Sequence, residues 1–191
     1  MKLFFIISLG RSGSKFLADL LDCAPCSLVY HEPYTDDKMF FGLRYYYSAD
    51  IVMNNYLEER FKKLLPANDY ITHYGEVNSY LRYEIDWLKK RFNPTLIHMI
   101  RDGRDFVRSA LKRDTYTAFD KQVQIVPRDG DTYSVKWYAM DRFQKLSWYW
   151  MHSNEYISSK VDRFVRFEQY FHFLLQNWQV LAQWLQMLRL F

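Results

Sequence analysis

The sequence predicts an α/β fold in which helices cover both faces of a central parallel sheet. Three observations carry this. Leu3 to Ile7 is a continuous apolar, β-rich run, the pattern of a central strand buried on both faces. Thr95-Leu-Ile-His-Met-Ile100 repeats that pattern later in the chain. Around these runs, shorter strand-like stretches alternate with segments of helical periodicity, and such alternation builds a parallel sheet through crossover helices. Two glycines, two hydroxyls and two cations follow the first run, in Gly10-Arg-Ser-Gly-Ser-Lys15. That succession makes the expected architecture three-layered and P-loop-like, a single α/β domain over residues 1–191.

The elements follow in order. Phe16, Leu17, Leu20 and Leu21 recur at helical spacing, so a helix starts near Ser12 to Ser14. Ser27-Leu-Val-Tyr30 reads as a short strand ending in His31-Glu-Pro33. Pro33 disfavours helical geometry in the residue before it, which places Glu32 extended at a strand end or turn. The aromatic stretch Met39 to Tyr56 fits either core or the wall of an acceptor cavity. Asn54 to Leu65 is helical, Tyr70 to Tyr74 is a strand ending at Gly75-Glu76, and Tyr80 to Phe92 is an amphipathic helix stopped by Asn93-Pro94. After Thr95 to Ile100 comes Arg101-Asp-Gly-Arg-Asp105, then a helix burying Phe106, Val107, Ala110 and Leu111. Thr115 to Ser134, with Pro127, Gly130 and three aspartates, reads as a polar surface loop suited to a lid. Trp137 to Ile157 is one long helix, Asp162 to Phe167 a last strand, and Glu168 onward a final helix with Leu181, Trp184, Leu185 and Leu188 on its apolar face.

Composition narrows the function. Sixteen Tyr, fifteen Phe and six Trp in 191 residues argue against disorder. A net charge of +4 suits an anionic ligand and does not call for nucleic acid. No apolar stretch approaches a membrane span, and Met1 directly precedes the buried strand, so a cytoplasmic protein is expected. Cys23 and Cys26 close a helix where a redox pair would open one, and no second Cys/His pair at ligand spacing suggests zinc.

The glycine loop is the centre of the functional reading. Strand, loop and helix start together aim backbone N–H groups and a helix dipole at an anion, usually a phosphate. The loop is not a Walker A sequence: Ser14 separates Gly13 from Lys15, and Phe16 stands where a magnesium-binding hydroxyl belongs. No metal is therefore expected.

Two separated pieces resemble one family, the sulfotransferases that use 3′-phosphoadenosine 5′-phosphosulfate (PAPS). Gly10-Arg-Ser-Gly-Ser14 is similar to that family's 5′-phosphosulfate loop, and Arg101 with Ser109 looks like its 3′-phosphate site. The resemblance implies nucleotide contacts at Gly10, Arg11, Ser12, Gly13, Ser14, Lys15, Arg101 and Ser109. It implies adenosine 3′,5′-bisphosphate (PAP) as product and a hydroxyl-bearing acceptor such as a carbohydrate. His31-Glu-Pro33, Gly75-Glu76, Trp150 with Asn154, and Val165-Arg-Phe-Glu168 are similar to further landmarks of the family. Lys15 stands in place of a second hydroxyl, Val77 where bacterial relatives often carry Lys, and the chain ends at Phe191, short of the C-terminal segment of many relatives.

Such chemistry needs no metal, because cations and amides can stabilise the charge on a departing 5′-phosphate; Arg11 is the candidate for that role. The acceptor hydroxyl needs a base. Glu32 is the first candidate, His73 the second because cytosolic relatives place a His near that strand end, and Glu76 the third. Two other readings remain: a P-loop kinase or nucleotide hydrolase, and a nucleotide-binding module without catalysis.

Overall fold

A computed structural model describes residues 1–47 and 49–169. Its elements are β1 (Lys2–Ser8), α1 (Ser14–Asp22), β2 (Ser27–His31), α2 (Asp37–Tyr47), α3 (Asp50–Leu64), β3 (His73–Asn78), α4 (Ile85–Phe92), β4 (Thr95–Ile100), α5 (Gly103–Ala110), α6 (Arg142–Ser158) and β5 (Phe164–Arg166). The strands form one sheet in the order β2-β3-β1-β4-β5, and every pairing is parallel. The α/β class read from the sequence is the one observed.

The period of two in β1 divides the core. Phe5 and Ile7 face a cluster with Leu57 and Phe61 of α3, Leu88 of α4, Phe106 of α5 and Leu146 of α6. Phe4 and Ile6 face the other side, against Leu17, Ala18 and Leu21 of α1. Helices thus cover both faces. A third, aromatic cluster of Phe41, Tyr45, Tyr83, Ile125, Trp137 and Trp148 lies beside them.

The structure corrects the sequence reading at several elements. The third strand is not Tyr70 to Tyr74 but His73–Asn78, all six residues of it buried. Gly75 suggested a strand end, yet it lies inside the strand because the Phe4 ring occupies its side-chain space; a Cβ there would come within 2.1 Å of that ring. The expected helix Tyr80 to Phe92 begins as a 3₁₀ turn, Tyr80–Glu84, and becomes α4 only at Ile85. The expected long helix from Trp137 is interrupted. A 3₁₀ turn spans Trp137–Ala139, and α6 starts afresh where Asp141 accepts from the Gln144 N–H and the Gln144 side chain returns the bond.

The region from 115 to 134 has no helix or strand, as expected, but it is not merely a solvated loop. The Tyr116 hydroxyl donates to the Ile125 carbonyl at 2.5 Å, Ile125 is buried, and the Tyr45 hydroxyl donates to the Val126 carbonyl at 2.7 Å. Glu32 is not extended: its φ is 44°, in the left-handed region just beyond β2. The final helix expected beyond Glu168 lies outside the described residues.

Candidate functional site

Parallel strands carry ligands at their C-terminal edge, and the loops there build this site. Leu9, at 1% exposure, anchors the end of β1. The chain then takes positive φ at Arg11 (71°) and Gly13 (78°) before entering α1. Gly13 is obligatory twice over, for its φ and because a Cβ would meet the Phe167 ring at 2.1 Å. Gly10, by contrast, has nothing within 4 Å of a built Cβ, so space lies open above the loop. Ser12 and Ser14 are buried, and the Ser14 hydroxyl shares a 2.9 Å hydrogen bond with Nε2 of His31. Lys15 is exposed and paired with Asp19 at 3.1 Å.

Arg101 and Ser109 arrive at the same place from the far side of β4. Arg101 Nη1 donates to the Arg11 carbonyl at 2.5 Å, and Arg11 Nε donates to the Ser109 hydroxyl at 3.1 Å. Ser109 and Arg101 thus meet through Arg11. Among the described residues no carboxylate forms an ion pair with either arginine. Both guanidinium groups therefore remain available to an anion.

Later residues hold Arg101 in position. The Trp150 indole donates to the Arg101 carbonyl at 3.0 Å and lies 3.2 Å from where a Gly103 Cβ would stand. Asn154 secures Trp150 by donating to its carbonyl at 2.7 Å, and its Oδ1 meets Nε2 of the buried His98 at 2.9 Å. Burial holds His98 down to about 4, partly offset by that bond to Asn154. Glu168 accepts from the Asp102 N–H at 2.8 Å, fixing the turn after Arg101.

Gly10, Arg11, Gly13, Ser14, Lys15 and Arg101 open onto one cleft of about 970 Å³. His31 and Glu32 from the end of β2, Ser79 and Tyr80 from beyond β3, and Tyr149 of α6 also line it. Glu32 is held by Ser79, whose hydroxyl donates to Oε1 at 2.5 Å and whose N–H donates at 3.3 Å.

The other two candidate bases are elsewhere. His73 is the first residue of β3, opposite Lys2 and Ser27, on the edge of the sheet away from the loop. Five residues of extended strand, roughly 16 Å, separate it from Asn78. The shifted strand boundary moves it there. Glu76 is buried inside the sheet, where Arg60 donates to its two oxygens at 2.7 and 2.6 Å and Tyr74 donates at 2.7 Å. Arg60 also grips Asp37 at 2.7 and 2.8 Å, while the Asn78 amide donates to both carboxylates. Glu76 is therefore a structural counter-ion. Val77 is buried in the core.

Of the two readings of the aromatic stretch Met39 to Tyr56, the structure supports core. Phe41 and Tyr45 pack in the third cluster, and Phe40 stacks on Tyr56 at 3.6 Å. The rings lining the cleft are instead Phe16, Tyr80, Phe106, Phe119 and Tyr149. Periodicity could not have found Tyr80 or Tyr149, because each is one tyrosine among many and only strand order brings them to the loop.

The fold is similar to that of a sulfotransferase from Alicyclobacillus acidocaldarius, with a TM-score of 0.59 over 98% of this chain and 81% of that one. The chain has a sulfotransferase fold. Sequence identity to that protein is 16%. No protein-family model matches the chain, and no curated protein sequence does. No described helix is long and apolar enough to cross a membrane, and the described residues contain no cluster of three metal-ligating side chains.

Proposed function

We propose that this protein transfers a sulfuryl group from PAPS to the hydroxyl of an acceptor, with a carbohydrate or another small alcohol or phenol as the acceptor class. The observation that carries the reading is the Arg11–Arg101–Ser109 cluster over a glycine loop. It offers two unpaired cations, a hydroxyl and a helix N-terminus to a ligand with two phosphate-type groups. The sulfotransferase fold supports it.

In this reading the loop residues and Arg11 hold the 5′-phosphate, and Arg101 with Ser109 holds the 3′-phosphate. The sulfur–oxygen bond to the 5′-phosphate breaks as one to the acceptor oxygen forms. Arg11 stabilises the charge gathering on the departing phosphate. Glu32 takes the acceptor proton, PAP leaves, and Ser79 aims the carboxylate through its two hydrogen bonds. The loop sequence does not favour a magnesium-dependent kinase, since Phe16 occupies the hydroxyl position.

Thermal unfolding with nucleotides tests this. PAP at about 100 times its dissociation constant adds about 2.7 kcal/mol of stability. It should raise the Tm well beyond ATP with magnesium. Equal shifts, or a shift that requires magnesium, refute the assignment. A mass-spectrometric screen of hydroxyl compounds with PAPS then identifies the acceptor.

A further inference from the structure

One cation near the cleft has no part in the site described so far. Arg82, in the 3₁₀ turn after β3, is 2% exposed. Its Nη2 donates to the Tyr149 hydroxyl at 2.6 Å, and its guanidinium lies 4.4 Å from the Phe41 ring centroid. Among the described residues no carboxylate pairs with it, and its Nε has no hydrogen-bond partner. A buried guanidinium without a counter-ion is costly, and aromatic faces offset only part of that cost. A chain that merely needed to fill this space would do better with Met or Leu.

The contact has a directional consequence. Arg82 can only donate, so it occupies a lone pair of the Tyr149 oxygen and leaves the phenolic proton for another partner. Among the described residues nothing else bonds that hydroxyl, and Tyr149 lines the cleft. A positive charge behind a phenol polarises its O–H and strengthens it as a donor. Such a donor suits an anionic group better than a neutral alcohol. Tyr149 shares the cleft lining with Glu32 and Tyr80.

We propose that Tyr149, backed by Arg82, binds the sulfuryl group itself within the cleft that the glycine loop also lines, with Tyr149 as the contact and Arg82 as its positioning residue. This rests on the sulfotransferase reading. Arg11 and Arg101 serve the two phosphates; Tyr149 donates its one phenolic proton to an oxygen of the sulfuryl group between phosphate and acceptor.

The test compares two ligands that differ by that group. Rapid-mixing tryptophan fluorescence gives the affinities of PAPS and PAP for the wild-type chain and for Tyr149→Phe, Arg82→Met and Arg82→Lys. Tyr149→Phe keeps the ring and should change PAP affinity less than about twofold. It should lower the ratio of PAPS to PAP affinity roughly tenfold or more, the size of one charge-assisted hydrogen bond. Arg82→Met should lower the ratio similarly, and Arg82→Lys should restore part of it; a purely structural arginine would weaken both ligands alike. If Arg82→Met does not fold, Tyr149→Phe and Arg82→Lys decide the matter. An unchanged ratio in Tyr149→Phe, or equal weakening of both ligands, overturns the inference and leaves the sulfotransferase reading standing. Failure of the wild-type chain to bind either nucleotide removes both.

Discussion

Arg60→Met is the most informative perturbation of the framework beneath the site. The side chain is 1% exposed, at the centre of a network that joins α2, α3 and β3. Burial opposes its charge, but Glu76 and Asp37 outweigh burial and hold the guanidinium above its ordinary pKa. Methionine fills the same volume and removes four charge-assisted bonds at once. Asp37 and Glu76 then face each other without a cation, with Tyr56, Tyr74 and Asn78 as their remaining side-chain donors among the described residues. Breaking a buried pair this way costs about 3–5 kcal/mol. At about 2–4 °C per kcal/mol for a chain of this size, the Tm should fall by roughly 6–20 °C. Differential scanning calorimetry of the two proteins at pH 7.5 measures it. A second consequence reaches the cleft: Asn78 also accepts from the Tyr80 N–H at 2.9 Å, next to the Ser79 that holds Glu32. A Tm loss below about 3 °C would show that the network is not the buried strut described here and would falsify the reasoning.

Three further outcomes are expected. Burial raises Glu84 to about 7, against the lowering pull of Arg44 at 3.4 Å, so the folded chain prefers its protonated form. Its contribution is present below about pH 4.5 and lost as pH rises through 7, so Glu84→Gln should stabilise the protein at pH 8 by on the order of 2–3 kcal/mol and change little at pH 4.5; urea unfolding at both pH values checks this. His98, held down to about 4 by burial, makes the folded state lose stability as pH falls from about 6.5 to 4, by on the order of 3 kcal/mol; the slope of Tm against pH in that window should flatten in His98→Gln, and an unchanged slope refutes the attribution. Glu32→Gln should lower single-turnover transfer by roughly 10²–10⁴-fold while PAP affinity stays nearly intact; loss of nucleotide affinity instead would make Glu32 a strut for the loop.

The sequence by itself determined the sheet and the glycine loop, and it singled out Arg101 with Ser109 as candidates. Leu3 to Ile7 and Thr95 to Ile100 are apolar throughout because strands covered on both faces leave no polar side. The loop and Arg101 with Ser109 were legible because each motif is local: a few consecutive residues fix its geometry. Tertiary structure decided everything that depends on which strand lies beside which. Gly75 reads as a stop until Phe4, on the neighbouring strand, is seen to require it. That one boundary moved His73 to the far edge of the sheet and sealed Glu76 against Arg60. Asp141 and Gln144 did carry a readable cap signal, obscured by apolar residues on both sides of it. The pairing of Arg82 with Tyr149 joins residues 67 positions apart. No periodicity reports such a contact, because it exists only where α6 crosses the turn that follows β3.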